Sequence, residues 1–336
     1  MTSRTAHLLK ALVSLLLLGV CVAYADFGRL PAAMGSVEFW ALSAAFVLNV
    51  GGSVIVPALL TRTALDPARL SLSISRLILL NFIMRFYILV LPRAVSTGMR
   101  WYRYKQHGTG ADAFALMAFV AVVQFLVYAA SATFLIAHER SLLGASGVWL
   151  LVLALGSAVA GVLAILLFLF PAFGRSMRGL AARSPLSPPE FVRARLDRWW
   201  TAVVAYNGLS LRALIKIVAL SLGSYALFVG SAYAVAVSMG LGLSLAAIAW
   251  VRSVVFLLTL IPITVGGVGV REVGTVALFG LYGVAQHEAL AFALVMLGVQ
   301  LLIGLVGISV EAGTFLRGVC GYQTGLPGVG DLKNRD

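Results

Sequence analysis

The sequence predicts an all-α polytopic membrane protein with about six full transmembrane helices and two re-entrant or broken-helix elements. Three observations carry that expectation. Of 336 residues, 61% are hydrophobic and only 11% charged, against roughly 25% charged in a soluble domain. Mean hydropathy is +1.01, and the apolar residues fall in uncharged runs of roughly 20 residues or more, enough to cross ~30 Å of hydrocarbon as helix. Two further apolar regions are interrupted by charge, proline and glycine, a pattern tolerated at membrane depth only where protein or water satisfies the exposed backbone.

Taken in order, uninterrupted spans are read at 8–24, 39–60, 113–137, 147–171, 217–239 and 289–310. The first poses a choice, because Arg4 and Lys10 precede it and Ala23-Tyr24-Ala25 resembles a signal-peptidase site. Counted from Leu8 it approaches spanning length, and we expect it to be retained. The chain carries 25 Lys and Arg against 12 Asp and Glu, a net charge of +13. The cations cluster between spans, which reads as a topology signal and as affinity for anionic headgroups rather than for nucleic acid.

The stretch 172–216 holds Arg175, Arg178, Arg183, Arg193, Arg195, Arg198, Arg212 and Lys216 against Glu190 and Asp197, so it is expected to be cytoplasmic. Residues 172–213 form a basic linker in which 191–200, with Trp199 and Trp200, reads as a surface helix. Working outward, both termini fall in the cytoplasm. The resulting organisation is one membrane domain over 1–310 and a cytoplasmic tail over 311–336.

Two regions resist this scheme. Residues 61–76 and 93–112 are both basic, so both are cytoplasmic only if 77–92 turns back. That segment has roughly 16 residues, about 24 Å as helix, and carries Arg85 mid-way. A re-entrant element from the cytoplasmic face is the expected solution. Residues 245–286 must likewise begin and end outside, as half-helices 245–261 and 271–284 joined at depth. One re-entrant element from each face is the arrangement of transporters with inverted repeats.

The sharpest motif is Ile261 to Gly274, IPITVGGVGVREVG. Pro262 ends one half-helix, Gly266, Gly267 and Gly269 permit unusual backbone angles, and Arg271-Glu272 opens the next helix, whose N-terminal amides and dipole favour an anion. Arg271 adds a forked donor matched to phosphate, and Glu272 orients it or accepts from a headgroup. The alternative is a tight turn held by an Arg-Glu pair. Gly267-Val268-Gly269 lacks a third glycine at 272 and a preceding strand, so no dinucleotide motif is met. Candidate substrate-binding residues are Pro262, Thr264, Gly266, Gly267, Gly269, Arg271 and Glu272, with Arg252, Arg85, Asn81 and Arg93. Arg252 is expected to pair with Glu272 or to snorkel, and Arg85 and Arg93 to contact phosphate or snorkel. His7, His107, His138 and His287 are scattered, and Cys21 and Cys320 stand apart. No metal, cofactor or catalytic group is expected.

P-I-T-V-G-G-V-G-V-R-E at 262–272, the G-V-x-x-x-x-A element at 283–289, Asn81-Phe82 through Leu91-Pro92-Arg93, and the WYRYK stretch at 101–105 resemble the flippase-like membrane domain of lysylphosphatidylglycerol synthases and their stand-alone relatives. The resemblance implies a bacterial cytoplasmic (inner) membrane protein that translocates an anionic or polyprenyl-type lipid, without the soluble aminoacyl-transferase domain that some members carry. The chain departs from the family at 121–126, AVVQFL, where only Gln124 is polar instead of an acid-Arg pair. The expected partners are membrane lipids, phospholipid or polyprenyl phosphate, besides a second copy or lipid-pathway enzymes. The alternatives are an accessory scaffold of a lipid or lipid-linked glycan pathway and a membrane transferase. The transferase reading suffers from the few carboxylates, Asp26, Glu38, Glu139 and Glu288, on the exterior connections.

Overall fold

The computed structural model describes residues 29–65, 72–169, 210–260, 264 and 267–324. The expected first span, most of the basic linker with its surface helix, and Pro262 and Gly266 lie outside the described residues. Every regular element within them is helical: α1 (Leu30–Gly35), α2 (Phe39–Val50), a π-helical turn (Gly51–Ile55), α3 (Val56–Ala64), α4 (Ile74–Val90), α5 (Arg93–Lys105), α6 (Gly110–His138), α7 (Arg140–Leu169), α8 (Leu211–Ser238), α9 (Leu245–Thr259), α10 (Val270–Gly280) and α11 (Gln286–Thr324). Among the described residues five stretches, Phe39–Ala64, Gly110–His138, Val148–Leu166, Leu211–Ser238 and Gln286–Gly313, are long and apolar enough to cross a membrane. The chain is an all-α polytopic membrane protein.

Helix starts are set by local chemistry. Ser73, Thr109, Ser210 and Ser244 precede α4, α6, α8 and α9, and each accepts the backbone N–H three residues on through its hydroxyl. After α8 the chain reverses through Gly240 and Gly242, both at positive φ. The spans define two ends of the bundle. Glu38 N–H donates to Ser238 Oγ, and Leu30, Met239 and Leu290 share one small core, which gathers the start of α2, the end of α8 and the start of α11. Ala58, Leu60, Ala113 and Ile217 cluster at the other, basic end.

The α4–α5 hairpin enters from the basic end. Arg62 Nη1 donates to Leu72 O near the start of α4. Arg103 pairs with Glu311 at the far end of the membrane stretch of α11, so α5 finishes at the end where α4 began. The site of reversal corrects the expectation from sequence. Residues 74–90 form one continuous limb, the break is at Leu91-Pro92, and the basic segment 93–105 is the returning limb rather than a loop. Proline forces the break because it lacks an N–H and constrains its predecessor to extended backbone. α4 crosses α11 so closely that a Cβ on Gly307 would collide with the Phe82 carbonyl.

The α9–α10 hairpin enters from the opposite end. Trp250 Nε1 donates to Tyr282 Oη at 2.5 Å, and Tyr282 Oη lies 3.5 Å from Glu139, tying the mouth of the hairpin to the α6–α7 corner. Its limbs are shorter than the expected 245–261 and 271–284, ending at Thr259 and Gly280. At the other boundaries, α8 begins at Leu211 within the predicted linker, and α11 continues as helix to Thr324 into the predicted tail. α7 packs on α6 and exposes Trp149, Leu153 and Val159, as a lipid-facing helix would.

Candidate functional site

The tips of the two hairpins approach each other in the middle of the bundle and bound a cavity of about 680 Å³. Arginines from all four limbs line it: Arg85 from α4, Arg100 from α5, Arg252 from α9 and Arg271 from α10. Thr61, Gln124, Thr264 and Gln300 supply neutral polar groups, and among the described residues no carboxylate lines the cavity.

Arg271 is 9% exposed and Glu272 is fully buried. Glu272 Oε2 accepts the Gly269 N–H at 2.6 Å, and Oε1 accepts Arg271 Nε at 3.1 Å. Arg271 Nη1 reaches Gln300 Oε1 at 2.5 Å. Nη2 is 3.1 Å from Glu272, within ion-pair range, yet has no partner in hydrogen-bond geometry. Glu272 therefore caps α10 and aims the guanidinium. Arg271 N–H donates to Gly267 O, so two amides expected to be open to an anion at this helix start are used internally. The attraction for an anion resides in the side chains. Gly267 and Gly269 hold φ of 78° and 87°, as the glycine cluster implied. A Cβ at Gly267 would also stand 3.0 Å from Thr259 Cγ2.

Arg252 is 3% exposed and lies with Cζ 4.3 Å from the Phe228 ring centroid. It neither snorkels nor forms an ion pair with Glu272 among the described residues, and its Nε has no hydrogen-bond partner. Cation–π contact offsets part of the desolvation cost.

Asn81 and Arg85 anchor α4 to the π-helical turn. That turn shifts the hydrogen-bond ladder, and three side chains bind its carbonyls: Ser224 Oγ donates to Gly52 O at 2.5 Å, Arg85 Nη2 to Ser53 O at 2.9 Å and Asn81 Nδ2 to Val54 O at 3.0 Å. Asn81 thus acts through packing and does not line the cavity, whereas Arg85 does both. Thr264, 5% exposed, lines the tip of the second hairpin. Arg93 opens α5, and its side chain lies outside the described set.

Sequence reasoning passed over Arg100 and Gln300. Arg100 falls in the basic stretch 93–112, which along the sequence reads only as a topology signal. Gln300, a lone amide in the apolar run of α11, carried a signal that was legible and unused. Phe256, which lines the cavity, stacks on Tyr128 at 4.0 Å, and Tyr128 stands edge-on to Tyr225 at 5.1 Å.

No curated protein matches the chain. The family described as lysylphosphatidylglycerol synthase TM region matches over residues 8–307, which takes in both hairpins and the cavity between them. With that match over most of its length, the chain belongs to the lysylphosphatidylglycerol synthase TM region family.

Proposed function

We propose that this protein translocates a lipid with an anionic headgroup across the bacterial cytoplasmic membrane. One observation carries the reading: among the described residues, four arginines and no carboxylate line a cavity at the meeting point of two opposed hairpins. Glu272 compensates one of these cations from behind Arg271, and the excess of buried positive charge is costly in a membrane and marks a pathway or a binding site for the opposite charge. Family membership supports a role connected with membrane lipid. By the count of lysine and arginine between spans we place the basic end, and both termini, at the cytoplasmic face. The cavity reaches from the returning limb of the first hairpin, Ser96 to Tyr104, to the tip of the second. A headgroup gathered at the basic end would enter along α5 and meet the arginines of both hairpins.

The test is headgroup accessibility in vesicles reconstituted with purified protein and labelled phospholipids or polyprenyl phosphates. Transport is expected, reduced by Arg271→Lys, which keeps the charge but loses the fork, and abolished by Arg271→Ala with the protein still folded. Unchanged transport by Arg271→Ala would overturn the site. An absence of movement for every lipid would favour a scaffold.

A further inference from the structure

The four cavity arginines form two couples, each drawn from the two limbs of one hairpin. Arg85 of α4 and Arg100 of α5 line the cavity from the first hairpin, and Arg252 of α9 and Arg271 of α10 line it from the second. All four line the same cavity, so the couples flank one space. Glu272 lies behind Arg271 and cancels one positive charge, which leaves the described residues of the site a net excess of three cations. Two atoms, Arg252 Nε and Arg271 Nη2, are buried without a hydrogen-bond acceptor.

This charge balance constrains the ligand more tightly than the word anionic. A phosphodiester headgroup brings one negative charge and would leave two guanidinium groups uncompensated. An aminoacylated headgroup adds a further cation and would be repelled. A terminal phosphoryl group carries about −1.5 to −2 at pH 7, with its second pKa near 6, and a diphosphate carries more. Forked guanidinium donors match phosphoryl oxygens in geometry as well as charge. We infer that the cavity takes a headgroup with a terminal phosphoryl group, a phosphate monoester or a diphosphate, held between one arginine couple from each hairpin. The inference rests on the proposed transport reading only for its setting in the membrane, since it concerns binding.

The experiment measures retention of labelled lipid on the full-length protein in zwitterionic micelles. Phosphatidate and polyprenyl diphosphate compete against phosphatidylglycerol and its lysyl ester. At pH 8 the phosphoryl lipids should bind about tenfold or more tightly than phosphatidylglycerol. The preference for phosphatidate should collapse below pH 6 as one charge is lost, while phosphatidylglycerol binding stays level. Arg100→Gln and Arg252→Gln should each narrow the preference by weakening phosphatidate more than phosphatidylglycerol, and the double variant should narrow it further, with folding of each followed by gel filtration. Equal binding of phosphatidate and phosphatidylglycerol at pH 8, tight binding of the lysyl ester, or full preference retained by the double variant would overturn the inference. Competition by inorganic diphosphate at equal concentration would support the phosphoryl site and assign it to a soluble anion, contradicting lipid transport instead. Rapid movement of phosphatidylglycerol in vesicles alongside equal binding would leave transport standing and sink this assignment.

Discussion

Replacing Glu272 separates capping from charge compensation at the second hairpin. The carboxylate is fully buried and holds the Gly269 N–H at 2.6 Å and Arg271 Nε at 3.1 Å. Glu272→Ala strips both and leaves a 9%-exposed guanidinium uncompensated, a change that costs about 3–5 kcal/mol when a buried pair is broken from one side. Glu272→Gln retains one carbonyl oxygen and is expected to cost about 1.5–3 kcal/mol, the worth of one hydrogen bond to a charged group. Because Arg271→Ala also breaks the pair, the double variant should lose less than the sum of the singles, with a coupling of about 0.5–3 kcal/mol. Unfolding in detergent micelles followed by tryptophan fluorescence reads these differences, with Trp250 packed at the mouth of the same hairpin. A Glu272→Ala variant within ~0.5 kcal/mol of the parent, or strictly additive losses, would refute the account of Glu272 as cap and counter-ion.

Three further outcomes follow from the packing. With Cys21→Ser and Cys320→Ser as background, single cysteines at Ser73 and Gln106 should label from the same side of the membrane, because α4 and α5 are the two limbs of one hairpin; labelling from opposite sides would turn α4 into a crossing. Gly304→Ala meets the flexible end of Leu89 at 3.2 Å and should fold, whereas Gly307→Ala drives a methyl into the Phe82 carbonyl and should lose folded yield in micelles; equal yields would refute the close crossing of α4 and α11. Asn81→Leu leaves Val54 O without its donor and should cost about 1–3 kcal/mol in the same unfolding measurement, with headgroup selectivity unchanged because Asn81 does not line the cavity.

The helical and membrane-bound character of the chain was legible in composition, because span length and apolarity are local quantities set by hydrocarbon thickness. The second hairpin was legible too: Gly267, Gly269 and Arg271-Glu272 supply left-handed backbone angles and a charged helix start within one short motif, so neighbouring residues sufficed. For the first hairpin, the charge map pointed to a reversal but misplaced it. Arg100, Arg103 and Lys105 outweigh the apolar residues between them in any count along the chain. Only their tertiary partners, Glu311 for Arg103 and the cavity for Arg100, show that this basic helix turns back into the bundle. Likewise the π-helical turn at Gly51–Ile55 has no visible cause in its own residues. It persists because Ser224, Arg85 and Asn81, from two other helices, satisfy the carbonyls it frees. Convergence of four arginines from four limbs was beyond sequence reasoning for the same reason: periodicity places a side chain on a face of its own helix, and the packing of the other helices decides what that face meets.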